Sequence, residues 1–262
     1  MLAKTLQKLF SKGDNIEALH QSMQAKHWPS HALEHYFAHP LPNAQRPVSE
    51  QQFVALDFET TGLEPDSDRI LSIGTVELNY EEIDLTSVSE VILRQDVTIR
   101  PESAVVHEIM PTQVREQGVE AELALDRLIE HLRGKTIIAH SAGIEYGFLS
   151  SYLKRRYQIE RLPCYMVDTL LLEKRFSYLG KNRGHSSFQL DDLRQHYNLP
   201  DYYAHSAASD ALGCAELFLA QVKRLKLCHR PLSEVIYRPK NAASLFFNVP
   251  LYALLKSMTV RL

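Results

Sequence analysis

The chain has 262 residues, of which 45% are apolar, a size and composition typical of one globular domain with appended segments. Its net charge of -3 and pI near 6.5 exclude tight binding of a polyanion by bulk charge, so such a ligand must be held by local basic patches or metal ions. No apolar run approaches membrane-spanning length, and three cysteines without metal-ligand spacing, Cys164, Cys214 and Cys228, indicate small buried side chains in a reducing cytoplasm.

Residues 1–48 are predicted to form a helical extension that ends in a linker. Asp14 and Glu17 resemble a capping box at the start of one short helix, and Ser30 is placed to cap another. Prolines at positions 40, 42 and 47 then mark an extended segment, because proline and the residue before it disfavour helix.

Residues 49–227 are predicted to form the main α/β domain. Strand patterns occur at 53–58, 70–80, 88–100 and 136–140. Helical patterns occur at 144–157, 169–176, 189–197 and 206–227. Three strands followed by alternating strand and helix favour a mixed sheet with helices packed on it. The tail, 228–262, is interrupted by prolines and ends in the apolar residues Leu251, Leu254, Leu255 and Met258.

Asp57 and Glu59, at the end of the first predicted strand, are the most informative residues of the chain. Alternate residues of a strand point to the same side, so both carboxylates leave one face where the turn signal Thr61-Gly62 ends the strand. For this pair alone, a structural role in which one acid caps the turn and the other is solvated is an equally good interpretation. Further acids downstream favour the functional one.

Glu145 and Asp210 each share a helical stripe with apolar residues three to eight positions further on, so both carboxylates are predicted to face the core. The alternative is that each acid only complements the dipole of its helix. Four carboxylates gathered from separate segments repel one another unless cations neutralise them. The set therefore indicates hard metal ions, Mg²⁺ or Mn²⁺.

Two histidines are candidates for a role beside these acids. His205, five residues before Asp210, is expected on the loop that precedes the last helix, where an imidazole can take a proton from a metal-held water. His140, which ends the strand before the Glu145 helix, is the next candidate and is expected to contact substrate. An exposed or merely hydrogen-bonded histidine is the alternative for each of the 12 in the chain.

Two motifs carry a resemblance to a known family. The sequence D-F-E-T-T-G at 57–62 matches D-x-E-T-T-G, and H-S-A-A-S-D at 205–210 matches H-x-A-x-x-D. These motifs, with similar segments at 105–109 and 167–170 in the expected order, resemble the DEDDh superfamily of 3′–5′ exonucleases. That superfamily includes the proofreading epsilon subunit of bacterial DNA polymerase III, ribonuclease T and oligoribonuclease. The resemblance covers residues 51–225.

The second motif departs from the family pattern. The family usually has H-N-A-x-F-D, whereas this chain reads H-S-A-G-I-E at 140–145, so a glutamate replaces the metal-binding aspartate. The extra methylene moves the carboxylate by more than about 1 Å, while Mg²⁺ demands near-octahedral ligands. A retracted rotamer is expected to compensate, and a weakened site or one that favours Mn²⁺ over Mg²⁺ is the alternative.

The resemblance implies a ribonuclease H-like fold, a five-stranded mixed sheet flanked by helices, and two-metal hydrolysis of terminal phosphodiesters that releases nucleoside 5′-monophosphates. By the family's roles, His205 is the general base and four acids hold the two metals: Asp57, Glu59, Glu145 and Asp210. Thr60, Thr61 and Leu63 resemble the segment that cradles the terminal nucleotide, with a plain strand-to-helix turn as the alternative.

Further contact with a single strand is expected from the segment 173–185, which interleaves cations with Phe176 and Tyr178. Its cations are Lys174, Arg175, Lys181 and Arg183. Lys154, Arg155 and Arg156 extend the basic track. A solvated loop is the alternative.

The motifs leave the substrate and the activity open. DNA 3′ ends are favoured, but an exoribonuclease of the ribonuclease T type uses the same five residues. A protein of another class, a noncatalytic nucleic-acid or protein interaction module with a decayed site at Glu145, is a further alternative. Partners are single-stranded 3′ ends and a DNA polymerase. The peptide S-L-F at 244–246 resembles the end of a sliding-clamp-binding peptide, but its leading glutamine is absent and apolar packing of the tail is favoured.

Overall fold

The fold is taken from a computed structural model, which describes residues 15–94, 114, 116–177, 187–203 and 206–238. Within these ranges, no helix combines the length and apolar character that crossing a membrane requires. The apolar end of the tail and the peptide at 244–246 lie outside the described residues.

A mixed six-stranded sheet forms the centre of the described part. Its strands are β1 (Phe53–Thr60), β2 (Ile70–Leu78), β3 (Ile83–Arg94), β4 (Val119–Glu120), β5 (Thr136–Ala139) and β6 (Met166–Asp168). They follow one another across the sheet in the order β4-β3-β2-β1-β5-β6. The pairs β1–β2 and β2–β3 are antiparallel, and the other three pairs are parallel. The predicted α/β class is confirmed, and the two-residue β4 adds one strand to the five expected.

Seven α-helices flank the sheet in the described ranges. They are α1 (Ile16–Gln24), α2 (His31–Ala38), α3 (Ala121–His131), α4 (Gly143–Tyr157), α5 (Thr169–Phe176), α6 (Leu190–His196) and α7 (Ala207–Arg224). The prediction for α5 is confirmed to the residue, and those for α4, α6 and α7 are confirmed within three residues at each end. The strand predicted from position 88 begins earlier, at Ile83, and α3 was not predicted.

The sheet is covered on both faces. Val54, Leu56 and Phe58 of β1 point into a buried cluster that is shared with α2, α3 and α4. Phe53 and Ala55 point to the other face, into a second cluster that is shared with α5 and α7. Because successive strand residues alternate between faces, Asp57 and Glu59 belong to the α7 face.

The N-terminal helices pack on the first of these clusters. Leu33, Tyr36 and Phe37 of α2 are fully or almost fully buried within it. Helix α1 begins after Asn15, whose side chain accepts from the amide of Ala18 at 2.9 Å, so the cap is Asn15 and not the predicted Asp14. An asparagine carbonyl oxygen satisfies a free amide of the first turn as well as a carboxylate does.

Ser30 precedes α2 as predicted, but its side chain makes no cap hydrogen bond. Its hydroxyl instead donates to the Oδ2 atom of Asp126 on α3 at 2.9 Å. The serine therefore joins two helices that are distant in sequence.

The segment after α7 also packs on the domain. The amide of Tyr237 donates to the carbonyl of Met166, on the outer strand β6, at 2.6 Å. Cys164 and Cys214 are buried as expected, Cys228 is half-buried, and all three are free thiols.

Candidate active site

Strand β1 carries the first two acids to the edge of the α7 face. The register between β1 and β2 shifts between Glu59 and Thr60, which marks a bulge at the end of the strand. Glu59 and Thr60 are both buried, since both faces of the sheet are covered. Asp57 is part-buried.

Helix α7 brings the third acid to the same face. Asp57 pairs across the sheet with Gly74 of β2, so a side chain at Gly74 would point toward α7. A Cβ atom at Gly74 would lie 1.9 Å from the carbonyl oxygen of Ala207, the first residue of α7. Only glycine lets the start of the helix rest directly on the strand, and Asp210 follows in the first turn.

A second contact fixes the same helix end. Glu90 of β3 is the next residue in the row that contains Asp57 and Gly74. Its carboxylate accepts from the hydroxyl of Ser206, which precedes α7, at 2.7 Å and from Ser72 at 3.1 Å. Neither Gly74 nor Glu90 was predicted as a site residue.

Asp57, Glu59 and Asp210 each offer a carboxylate oxygen, and these oxygens lie within 4.8 Å of one another. Burial raises the pKa of Asp57 well above its usual range, and the charges of Asp210, Glu59 and Glu145 raise it further. We call these three residues the acid group. Uncompensated anionic charge at this density is costly in a partly buried setting, so the group is suited to cations.

Glu145 belongs to the opposite helical layer. It lies in the first turn of α4, whose Phe148, Leu149 and Tyr152 pack on the other face of the sheet. Its side chain is buried, as the helical stripe predicted, at 2% exposure. It is not among the carboxylates that lie within 4.8 Å of one another in the described part of the chain.

The Glu145 carboxylate nevertheless interacts electrostatically with the acid group. Burial raises its pKa well above the usual range, and the charges of Asp168 and Glu59 contribute. Its Oε2 atom is buried without a hydrogen-bond partner in the described residues. An acceptor left unsatisfied in the interior is expensive, so this oxygen is also available to a cation.

Tyr202 is a contact of the acid group that the sequence analysis missed. Its hydroxyl donates to the Oδ1 atom of Asp210 at 2.6 Å. Burial and the adjacent carboxylate raise the pKa of Tyr202, so the phenol stays protonated and remains a donor. The ring is held between Gly213 and the guanidinium of Arg194, which lies 4.5 Å from the ring centroid.

The loop before α4 is fixed by Asp168, the N-cap of α5. Its carboxylate accepts from the amides of Leu170 and Leu171 in its own helix, and from Ser141 and Ala142 across the site at 3.3 and 3.1 Å. Burial raises the pKa of Asp168 to about 6, although these amides oppose the shift. Ser141 has φ of 67°, in the left-handed region that disfavours serine.

With this geometry in place, the comparisons with known proteins identify the family. The profile of the RNase_T family, described as exonuclease, matches residues 54–218, which is more than half of the chain. The chain belongs to the exonuclease family. The match spans every member of the acid group, and the resemblance inferred from the motifs is confirmed.

Similar proteins include two DNA polymerase components. The PolC-type DNA polymerase III of Thermotoga maritima is 30% identical over 174 residues, which cover 66% of this chain and 12% of the polymerase. The DNA polymerase III subunit epsilon of Treponema pallidum is 27% identical over 171 residues, covering 65% of this chain and 76% of the subunit. The chain thus spans only about an eighth of the PolC-type relative.

Solved exonuclease structures share the fold. Exonuclease I of E. coli in complex with a dT13 oligonucleotide has a TM-score of 0.55 at 17% identity, covering 68% of this chain and 43% of that one. Exonuclease X in complex with 5′ overhanging duplex DNA has a TM-score of 0.51 at 18% identity, covering 70% of this chain and 98% of that one.

His140, which is predicted to bind substrate in this member of the exonuclease family, uses both ring nitrogens in hydrogen bonds within the protein. Its Nε2 atom lies 2.9 Å from the carbonyl oxygen of Phe188, which accepts only, so Nε2 carries the proton. Its Nδ1 atom then accepts from the hydroxyl of Thr169 at 2.8 Å. Burial lowers the pKa of His140 to about 4. The neutral ring links the end of β5 to α5, and contact of His140 with substrate stays a prediction.

The turn after β1 uses its two threonine hydroxyls internally. Thr60 donates to the carbonyl of Gly62 at 2.7 Å, and Thr61 donates to the Oδ1 atom of Asp68 at 3.1 Å. A Cβ atom at Gly62 would meet the Asp68 carboxylate at 2.4 Å, so the turn closes tightly around that acid. Leu63 is half-exposed at the end of the turn. Contact of these residues with a nucleotide stays a prediction.

The basic segment is described only in part, because Arg183 and the rest of 178–186 lie outside the described residues. Glu173 is buried and accepts from Tyr197 and Gln221 at 2.8 and 2.9 Å, so it is a structural acid. In the basic track on α4, Lys154 pairs with Glu160 and Arg156 with Glu122. His205, the predicted general base, also lies outside the described residues.

Proposed function

We propose that this chain is a metal-dependent 3′–5′ exonuclease that removes terminal nucleotides from single-stranded nucleic acid, with DNA favoured, as nucleoside 5′-monophosphates. The observation that carries the proposal is the acid group, three carboxylates from two distant segments whose oxygens lie within 4.8 Å of one another. The family match and the names of the relatives support the reaction class.

The residues fit a pair of divalent cations. The donors are carboxylate oxygens, which Mg²⁺ and Mn²⁺ prefer. The raised pKa of Asp57 and the unsatisfied Oε2 atom of Glu145 both indicate anionic oxygens that lack a compensating charge. Asp57, Glu59 and Asp210 would hold the ions, and Glu145 would complete the set directly or through water. When bound, such ions supply an activated water and stabilise the leaving oxygen.

The remaining steps belong to residues of the chain. Tyr202 orients Asp210 through its 2.6 Å hydrogen bond, which fixes the carboxylate before a cation binds. In the sequence His205 precedes Ala207, the first residue of α7, by two positions and Asp210 by five. We assign His205 the role of general base, which takes the proton of the attacking water, because an imidazole titrates near neutral pH.

The names of the relatives support the proposed substrate and partner. Exonuclease I is seen with a single-stranded thymidine oligonucleotide, and the epsilon relative is a subunit of a DNA polymerase. We therefore favour single-stranded DNA over RNA and propose a DNA polymerase as a partner of this chain. Thr60, Thr61 and Leu63 would contact the terminal nucleotide, and Arg183 the phosphates behind it.

The test uses 5′-labelled DNA and RNA single strands with Mg²⁺ or Mn²⁺. We expect a ladder that shortens from the 3′ end, faster on DNA and faster with Mn²⁺. Asp57→Asn should lower the rate by more than about 100-fold, since even outer partners of metal ligands contribute about 10–100-fold. His205→Ala should remove most activity without weakening metal binding.

Matched controls separate the site from general damage. Asp192→Asn and His229→Ala change exposed residues outside the acid group and should keep the wild-type rate. Faster shortening of RNA would replace the favoured substrate by the exoribonuclease alternative. Binding of single strands without hydrolysis in either ion would support the noncatalytic module and contradict the proposal.

A further inference from the structure

A second group of metal-ligating side chains lies away from the acid group, where α2 packs on α3. His31 and His35 are four residues apart on α2, and Glu130 lies near the end of α3. Each offers one ligand atom, and these three atoms lie within 4.8 Å of one another. We call this set the histidine group.

The packing of the two helices fixes the histidine group. Leu33, Tyr36 and Phe37 hold α2 against the core, and the hydroxyl of Ser30 donates to Asp126 on α3 at 2.9 Å. Asp126 is one helical turn before Glu130. The backbone positions of all three ligands are therefore set by buried contacts and not by the ligands themselves.

An ordinary ion pair explains only part of this arrangement. The Nδ1 atom of His35 lies 2.8 Å from the Oε1 atom of Glu130, and such a part-exposed pair contributes little to stability. It gives no reason for His31, whose ring centroid lies 3.7 Å from that of His35. Two imidazoles this close repel each other when both are protonated, whereas a shared cation makes their proximity favourable.

We propose that His31, His35 and Glu130 bind one first-row transition-metal ion, with Zn²⁺ as the probe, and that this ion fastens the N-terminal helices to the exonuclease domain. Zinc binds histidine nitrogens at about 2.0–2.1 Å and carboxylate oxygens at about 2.0–2.2 Å, so donor atoms of a tetrahedral site lie roughly 3.3–3.5 Å apart. Donor atoms already within 4.8 Å reach that spacing by small side-chain rotations. The fourth position is left for water.

The ligand chemistry distinguishes this group from the acid group. Histidine pairs four apart on one helix face bind zinc in other proteins, and imidazole suits Zn²⁺, Ni²⁺ and Cu²⁺. Mg²⁺ and Mn²⁺ prefer oxygen ligands alone.

The test counts zinc ions on the full chain by competition with a chromophoric chelator, in excess Mg²⁺. We expect the wild-type protein to bind one Zn²⁺ that His31→Ala and His35→Ala each weaken by at least about 10-fold. His27→Ala is the matched control, since its side chain is 90% exposed in the same segment and pairs with Glu34 instead. The control should bind zinc as the wild type does.

A thermal scan gives an independent measurement. Zinc at about 100 times the wild-type Kd should raise the Tm of the wild type by roughly 5–10 °C and that of His31→Ala by no more than about half as much. Equal zinc affinity in the wild type and His31→Ala overturns the proposal, as does an equal loss of affinity in His27→Ala. Because neither measurement uses nuclease activity, a failure here is distinguishable from a failure of the proposed function.

Discussion

The two helices that carry acids to the active site are positioned in different ways. Helix α7 rests on bare backbone at Gly74, and Ser206 ties its start to Glu90. Helix α4 packs through side chains on the opposite face, and the loop that Asp168 holds connects it to the site. Asp210 of α7 joins the acid group, while Glu145 of α4 stays outside the 4.8 Å limit.

The difference between the two helices shows what kind of contact can place a carboxylate within coordination distance of its neighbours. Direct contact between a helix and a strand leaves no freedom, so Asp210 and Asp57 keep a fixed separation. A carboxylate on α4, at the other face of the sheet, depends on the length of its side chain to reach Asp57 and Asp210. A longer side chain at position 145 extends the reach of a carboxylate from α4, whereas the start of α7 requires glycine at position 74 of the strand beneath it.

The substitution Gly74→Ala should displace helix α7 and should cost both stability and activity. Its Cβ atom would lie 1.9 Å from a backbone oxygen, so α7 must shift away from the sheet. We expect a loss of about 3 kcal/mol in unfolding free energy, typical of overpacking, and a loss of about 100-fold in exonuclease rate from misplacement of Asp210. Chemical denaturation and the single-strand assay measure the two effects.

Gly147→Ala on α4 is the matched control for that substitution. Its Cβ atom would lie 2.9 Å from the Cγ atom of Pro65, a milder overlap than the 1.9 Å approach to a backbone oxygen at Gly74. Alanine is also the better helix former, by about 1 kcal/mol, so the net change in stability should be small. Comparable losses in both variants would show that α7 is not uniquely constrained by its contact with the strand.

The free energy of unfolding of the metal-free protein should depend on pH, because buried acids on β1 and on α4 both contribute to it. Asp57 and Glu145 have a folded-state pKa raised well above that of the unfolded chain. As pH rises, the unfolded state loses these protons first, so the free energy of unfolding falls. We expect a fall of at least about 1 kcal/mol between pH 6.5 and 8.5 in EDTA, measured by denaturant unfolding.

The titration of His140 contributes little to the change in unfolding free energy between pH 6.5 and 8.5. Its pKa, lowered to about 4, removes stability only as pH falls from about 6.5 toward 4. Asp168, with a pKa near 6, has completed most of its contribution at the lower end of the range. The double variant Asp57→Asn, Glu145→Gln should show a smaller fall than the wild type, and Mn²⁺ should reduce the fall of the wild type. A wild-type profile that rises with pH in EDTA contradicts this account.

Local patterns in the sequence predicted much of the fold and part of the site. Strand alternation placed Asp57 and Glu59 together, and the helical stripe placed Glu145 inward, because both periodicities are properties of the local backbone. Helix α3 was missed although Ala124, Leu125, Leu128 and Ile129 form a stripe. Gly74 also left a signal, since a glycine inside a strand pattern marks close approach of another backbone.

Other features left no local signal. Tyr202 reaches Asp210 from an irregular segment, and its role depends on one hydrogen bond that no periodicity records. The histidine group joins residues about a hundred positions apart, so only the packing of α2 on α3 reveals it. The separation of Glu145 from the acid group likewise depends on which layer α4 occupies.

Tyr202→Phe should leave the Asp210 carboxylate less firmly oriented without moving helix α7. The ring still fits between Gly213 and Arg194, but the 2.6 Å hydrogen bond to Asp210 is lost. We expect an exonuclease rate about 10-fold lower and a weaker affinity for Mn²⁺, as for other outer partners of metal ligands. Tyr203→Phe, at a residue 68% exposed, is the control. Equal rates for the two variants would exclude a role of Tyr202 in orienting Asp210.

Ser141→Asn should stabilise the loop before helix α4, and its effect is the smallest expected. Ser141 holds φ of 67° because its amide and that of Ala142 donate to Asp168. Asparagine, which the family usually has here, adopts the left-handed region more readily than serine, so we expect a gain of about 0.5 kcal/mol in unfolding free energy. Ser141→Val should lose about 1–2 kcal/mol, because a β-branched residue is strongly disfavoured at positive φ. Denaturant midpoints in the same order for Val, Ser and Asn would establish that this loop is strained, whereas an unchanged midpoint in both variants would show that Asp168 holds it at no cost.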